Sequence, residues 1–396
     1  MAAACSAARS GAEAVVLEKG DRVGRKILAT GNGRCNLSNV EISENNYHGK
    51  NPGFVKEALD FFGVQRTLAW FREIGLVCKT EEGRVYPACG QAAAVLDVLR
   101  NEAARLGVRV MTGQAVKKIE KSGDGFKIYC KQNEALTAGR VIVSAGGLAS
   151  PFSAPDGSVS GLDLMKRLGH RVREPFPALA GIKSGSPYMK ALKGVRVDGR
   201  IGLEAGGRHE ERVGEIQFTG EGVSGIPAMD LSGLLYDGDG KIYRDAAIGI
   251  DFAPEMELRE LAEYLSERKQ RLHDLDMERF LIGFVHKAAG AALVKAAGFD
   301  LRMPVGHLSE KTLLNFAGMI KNFTLPVSGT NGFREAQVMG GGLLTEEFAP
   351  ESMESRLVPG LYACGEILDI FGDCGGYNLQ WAWSSGQLAG SRAASR

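Results

Sequence analysis

The feature that most limits what this chain can fold into lies in its first twenty residues. Met1 to Ser10 is a run of alanine and other small residues that reads as a helix, Gly11 supplies its C-terminal stop, and Ala14-Val15-Val16-Leu17 is a short buried strand ending in Glu18. A helix, a glycine and a short apolar strand closed by an acid form the second half of a βαβ nucleotide-binding unit. In such a unit a glycine loop precedes the helix, and an acid about 20 residues later accepts ribose hydroxyls. The spacing therefore places Glu18 on a ribose and predicts a further strand and glycine loop encoded upstream of Met1.

A second glycine-rich segment follows, Gly24 to Asn36, with Arg25, Lys26 and Arg34 among its glycines. Backbone N–H groups and cations together suit a phosphate or a polarised carbonyl. Helical spacing covers 54–75 and 91–106, a strand is expected over 108–111, and short polar-interrupted runs at 115–119, 126–130 and 134–138 predict an antiparallel meander. Residues 140–147 form a buried strand ending in Gly146-Gly147, which lets a ligand approach the backbone. The pattern changes near Pro175: 178–252 reads as an inserted β domain, 256–275, 277–297 and 310–322 as helices, and β character returns at Leu325. At 360–366 another short strand ends in Gly365-Glu366, and Gly375-Gly376-Tyr377-Asn378 opens a last helix running to about Arg392. Free N–H groups and the positive end of that helix make Gly375-Gly376 an anion or carbonyl site.

The fold class expected is α/β, a Rossmann-like dinucleotide domain with an inserted β domain and a helical subdomain. The first domain is discontinuous, 1–174 with 335–396; the β domain takes 175–254 and 323–334, and the helices 255–322. With 48 Lys and Arg against 47 Asp and Glu there is no global field to draw the chain onto nucleic acid or a membrane. Between 183 and 212, however, Lys183, Lys190, Lys193, Arg196, Arg200, Arg208 and Arg212 outnumber Asp198, Glu204, Glu210 and Glu211 by three, a local patch that could track phosphates. Seven scattered cysteines without a C-x-x-C pair argue against disulfides and zinc, and no apolar run is long enough to span a membrane, so a cytoplasmic location is expected. Six histidines show no metal spacing and are read as surface or core groups, with His286 placed in the helical stretch. Cys35 beside Arg34 is either a low-pKa thiol or a small residue against a cofactor, and Trp381 and Trp383 are read as packing for the last helix.

Taken in order, GRKILATGNGRCNLSN, RVYP, GEIQFTGEGVSGIPAMDLS, LPVSGTNGFREAQVMGGGL and GLYACGEILDIFGDCGGYNLQWAWSSGQLAG resemble the BaiN/RdsA-like NAD(P)/FAD-dependent oxidoreductases, also labelled aminoacetone-oxidase-like flavoproteins. The resemblance runs over nearly the whole chain. It implies FAD held by a two-dinucleotide-binding-domain fold, with NAD(P)H as donor and hydride passing through the flavin to an acceptor, such as a C=C bond of a small ring substrate. A uridine of large-subunit ribosomal RNA is the alternative acceptor, and a cofactor-free remnant without activity is a further alternative. By the same resemblance Glu18 holds the adenosine ribose, while Arg25, Lys26, Thr30, Gly31, Arg34, Cys35 and Asn36 line pyrophosphate and flavin. Gly146, Gly147, Gly365, Glu366, Gly375, Gly376, Tyr377 and Asn378 complete the cradle.

Overall fold

The alanine-rich start is a helix, Ala2–Arg9, because nothing in it breaks the backbone pattern, and its small side chains let another helix come close. That partner is the last helix, Tyr377–Ala394: Ser6 Oγ donates to the Gln387 carbonyl at 2.7 Å, and Gly390 faces the Ala3 carbonyl. The two ends of the chain thus pack on one another. The computed structural model describes residues 1–130, 135–149 and 159–395.

Two compact units emerge. The first contains Met1–Phe176, Gly238–Gly240 and Phe333–Arg396. In it the strand Val15–Leu17 pairs in parallel with Arg109–Met111, and Val141–Val143 pairs in parallel with Leu361–Ala363. The expected meander forms in antiparallel order, Lys118–Ser122, Gly125–Tyr129 and Ala135–Ala138, its first strand three residues later than the 115–119 of the sequence pattern. The helical stretch near 54–75 is two helices, Lys56–Phe61 and Val64–Glu73, interrupted at Phe62-Gly63. A core of Cys5, Leu37, Trp70, Phe71, Val85, Val95, Leu99 and Trp383 joins the first helix, the helix Ala92–Arg105 and the last helix.

The second unit contains Pro177–Asp237 and Lys241–Gly332. Its strands close into a six-membered antiparallel barrel in the order Ile182–Ser184, Gly222–Ser224, Arg208–Phe218, Arg196–Ala205, Ala247–Asp251 and Phe323–Thr330. Along Arg196–Ala205 the buried residues Gly199, Ile201, Leu203 and Ala205 alternate with more exposed ones, the period-two pattern of a strand with one wet face. One run read as β is helical: Ile226–Ser232, where Pro227 falls in the first turn and its missing N–H costs nothing. The helices Leu258–Arg271, Met277–Phe280, Lys287–Ala296 and Glu310–Lys321 share a single core with the barrel, Leu265, Phe280, Leu293 and Phe316 meeting Ile216 and Ile248 in one cluster. Ser309 caps the last of them, accepting from Thr312 N–H at 3.1 Å.

Candidate functional site

The start of the last helix is built by three neighbouring segments. Phe371–Gly372 pairs antiparallel with Tyr47–His48, and the chain then turns at Asp373 to Gly376 into the helix. Asn378 closes that turn: its Oδ1 accepts Gly372 N–H at 2.7 Å and its Nδ2 donates to the carbonyls of Gly372 at 2.8 Å and Asp373 at 3.3 Å. Its amide therefore shapes the turn. Asn39 Nδ2 donates to the Gly375 carbonyl at 3.0 Å, and the Tyr47 hydroxyl donates to the Tyr377 carbonyl at 3.1 Å. Burial raises the Tyr47 pKa well above the usual phenol range, so it stays a neutral donor.

Gly376 adopts φ +100°, and a Cβ there would sit 2.3 Å from the Ser38 carbonyl oxygen and 2.7 Å from Asn36 Oδ1. Glycine at this position lets the helix start approach the 36–39 segment. Among the described residues Asn36 Oδ1 is buried without a hydrogen-bond partner, an acceptor whose desolvation is uncompensated unless a ligand supplies N–H or O–H. The helix behind this point is 18 residues long, so its first N–H groups carry a full macrodipole.

Glu366 is a second centre. Its carboxylate is ion-paired with Lys26 and accepts from the N–H groups of Met339 at 2.8 Å and Gly147 at 3.4 Å. A Cβ on Gly147 would lie 2.7 Å from Met339 Cβ and 3.0 Å from the Glu366 carboxyl carbon, so the strand end is glycine for clearance. Gly146 stands beside it in the left-handed region, at φ +72°. The last helix holds this segment too, because Gly365 N–H donates to Ser385 Oγ at 3.0 Å and Trp381 Nε1 donates to the Gly365 carbonyl at 3.1 Å. Segments 24–36, 146–147, 365–366 and 375–378 are thereby brought to one region.

The 24–36 segment is more ordered than a loop: a one-turn helix, Arg25–Ala29, leads into tight turns over Thr30–Gly33, and Thr30 Oγ1 donates to the Ile27 carbonyl at 2.6 Å. Each of its cations meets an acid, Arg25 with Asp21 at 3.6 Å, Lys26 with Glu366 and Arg34 with Glu81 at 2.5 Å. Arg34 also lies over the Tyr86 ring. Gly31 adopts φ +56° and a Cβ there would press on Asn36 N–H at 2.9 Å. Cys35 is fully buried, and burial pushes its thiol up to about 11, so it is a packing residue and not an activated thiolate. Glu18 ends its strand with the carboxylate turned onto its own chain, accepting Gly20 N–H at 2.7 Å.

Trp381 and Trp383 are buried, and Trp383 Nε1 donates to the Leu37 carbonyl at 2.9 Å, so both are packing residues. His286 is exposed and caps the helix Lys287–Ala296, its Nδ1 accepting Ala288 N–H. Four of the seven basic residues between 183 and 212 pair with acids: Lys183 with Glu221, Arg196 with Glu215, Arg200 with Glu211 and Arg212 with Glu210. Sequence reasoning missed Asn39 and the pairing of His48 with Asp373 at 2.6 Å. Asp373 stands two residues before the glycine pair, and that proximity was the available signal. Among the described residues no group of three His, Cys, Asp or Glu could hold a metal, and no helix is long and apolar enough to cross a membrane.

Residues 1–392 match the HI0933-like protein Rossmann domain. The chain belongs to that family. Its members are FAD-dependent oxidoreductases, and the α/β fold described above is their flavoprotein fold with a β-barrel subdomain. A 3-dehydro-bile acid delta(4,6)-reductase of Clostridium scindens is 38% identical over all of this chain and 96% of its own length. Ribosomal RNA dihydrouridine synthases of Haemophilus influenzae and Escherichia coli are 26% and 27% identical, each covering 96% of this chain and 92% of the relative. The residues present fit a flavin: the orphaned Asn36 Oδ1, the cradle that a Cβ at Gly376 would fill and the helix N-terminus offer an acceptor, clearance and positive potential.

Proposed function

We propose that the protein uses FAD and NAD(P)H to reduce a C=C bond conjugated to a carbonyl in a small polycyclic substrate of steroid type. The observation that carries this reading is the 38% identity, over essentially full length, to a bile acid reductase, against 26% and 27% to the ribosomal RNA enzymes. The pairing of four of the seven basic residues between 183 and 212 with acids adds to it, since a partly neutralised patch has fewer counterions to release on meeting RNA.

In this reading the bound flavin supplies two-electron hydride chemistry. Gly375, Gly376 and the first N–H groups of the last helix would stabilise negative charge on the reduced ring, and Asn36 Oδ1 would accept a hydrogen bond from the cofactor. Lys26, Thr30, Gly31 and Arg34 would flank the pyrophosphate, with Arg25 beside them. Gly146, Gly147 and Gly365 would leave room for the cofactor's backbone, Glu366 would take ribityl hydroxyls, and Glu18 would take the adenosine ribose. Cys35, Tyr377 and Asn378 fix the wall through burial and turn closure.

The test is direct. Purified protein loaded with FAD is mixed anaerobically with NADH or NADPH, then with a steroid bearing a 3-oxo-Δ4 group, and the product is identified by mass spectrometry. Saturation of the ring double bond is expected. Ribosomal RNA from a strain lacking the gene serves as the contrast: loss of a dihydrouridine there, with no steroid turnover, would overturn the reading in favour of the RNA substrate.

A further inference from the structure

Reducing a C=C bond requires a proton as well as a hydride, and the groups placed so far are engaged. Arg25, Lys26 and Arg34 sit in ion pairs, and the Tyr47 hydroxyl donates to the Tyr377 carbonyl. We propose that His48, oriented by Asp373, is the proton donor at this site. The inference rests on the C=C reductase reading above.

Four observations support it. His48 Nε2 lies 2.6 Å from Asp373 Oδ1. An ionised carboxylate only accepts, so Nε2 carries the hydrogen and Nδ1 is left as the nitrogen that exchanges a proton. The ring is held from two sides, because His48 stands opposite Phe371 in the strand pair and the two rings are 5.2 Å apart. Asp373 is held in turn: its N–H donates to the Asn46 carbonyl at 3.0 Å and its carbonyl accepts from Asn378 Nδ2 at 3.3 Å. The pair is withdrawn from bulk water but not sealed, with 18% of the His48 and 16% of the Asp373 side chain exposed.

Position supplies the link to the reaction. Asp373 belongs to the turn that makes the helix start, two residues from Gly375, so the pair and the proposed flavin cradle are parts of one short stretch. The chemistry balances. Hydride, with its two electrons, arrives from the reduced flavin at one carbon of the double bond; the other carbon takes the proton from Nδ1 of the His48 imidazolium. The imidazolium becomes neutral imidazole, Asp373 remains a carboxylate, and solvent at the exposed edge restores the proton. NAD(P)H is the reductant that returns the flavin to its reduced state.

The experiment uses the full chain loaded with FAD, as wild type, His48→Ala, His48→Gln and Asp373→Asn. Bleaching of the flavin band at about 450 nm reports reduction by NAD(P)H, and its return on adding a 3-oxo-Δ4 steroid reports transfer to the acceptor. His48→Ala and His48→Gln are expected to bleach at the wild-type rate and to return at least about 100-fold more slowly, with Asp373→Asn slowed at least about tenfold. Added imidazole should restore part of the return in His48→Ala, an effect a packing role does not give. Nitrogen-15 NMR of the histidine ring gives a readout apart from turnover: the Nε2–H tautomer in wild type, lost in Asp373→Asn. If wild type binds FAD and reduces the steroid while His48→Ala returns at the wild-type rate, or if His48 is the Nδ1–H tautomer, this inference falls alone. If wild type is not reoxidised by the steroid, the reductase reading falls with it.

Discussion

Replacing Gly376 with alanine separates a built cradle from an ordinary tight turn. The residue holds φ +100°, where an L side chain costs about 1–3 kcal/mol. The added Cβ would lie 2.3 Å from the Ser38 carbonyl oxygen and 2.7 Å from Asn36 Oδ1, well inside ordinary contact at 3.4–4 Å. Relieving such an overlap costs about another 1–3 kcal/mol, and Ser38, fully buried and donating to Gln380 Oε1 at 2.7 Å, is poorly placed to move. The 36–39 segment must therefore part from the helix start, which carries Asn36 Oδ1 away from the proposed flavin cradle. Gly33 is the control. It also has positive φ, +83°, but a Cβ there meets nothing within 4 Å, so Gly33→Ala bears the backbone part alone, about 1 kcal/mol. FAD affinity is read by titration and stability by thermal melting, each with and without cofactor. A binding loss of about 3 kcal/mol corresponds to roughly 100-fold in Kd. Gly376→Ala is expected to weaken FAD by between about tenfold and 100-fold, about 1.4 to 3 kcal/mol, while Gly33→Ala stays within about twofold. If Gly376→Ala binds FAD as tightly as wild type, or if the two variants lose affinity equally, the cradle argument is wrong.

Three further outcomes follow from the same geometry. Gly390→Ala puts a Cβ 2.1 Å from the Ala3 carbonyl and should destabilise by about 1–3 kcal/mol despite alanine's better helix propensity, whereas Gly318→Ala, with nothing within 4 Å, should stabilise by about 0.5–1 kcal/mol; denaturant melts compare them. Burial lowers the His170 pKa against the opposing pull of Glu347, so between pH 7 and 5 the unfolded chain binds more protons than the native one and stability falls with pH; the melting temperature of His170→Gln should vary less over that range. The Glu347 carboxyl adds little there: although burial would raise it, its bonds to Arg171 and His170 hold it below the usual range. At neutral pH a thiol reagent should label exposed Cys89 quickly and leave Cys35 and Cys364, both pushed up to about 11 by burial, unmodified until the protein unfolds.

Local signals were legible where one segment decides its own structure. The first helix, the strand ending at Glu18 and the last helix form within a residue or two of the boundaries that glycine and apolar spacing indicate, while the first strand of the meander, expected at 115–119, lies three residues later. Ile226–Ser232 misled because a run of 7 residues is too short for its apolar spacing to distinguish a helix from a strand, and Pro227 near its start was the cue left unused. The pairing of cations was hidden for another reason. Lys26 and Glu366 are 340 residues apart, and His48 and Asp373 are 325 apart. Neither spacing carries a pattern; only the fold sets it.

Those long-range pairs change what the site can be made of. Three cations in a glycine-rich stretch suggest a binding site driven by net positive charge, yet Asp21, Glu366 and Glu81 each occupy one of them. What remains is positive potential from backbone: the N–H groups at Gly375-Gly376 and the dipole of the 18-residue helix behind them. Such groups cannot rotate away or be neutralised by a stray carboxylate, and they are aimed before any ligand arrives. Lys26 and Glu366 then act less as an anchor for phosphate than as a clamp. Their pair ties the segment near the first strand to the segment after Leu361–Ala363, and the Met339 and Gly147 N–H groups hold the same carboxylate from behind. Because the clamp joins distant parts of the chain, loss of Glu366 should loosen the region around Gly147 as well as the cofactor, a coupling that a simple ribityl contact would not produce.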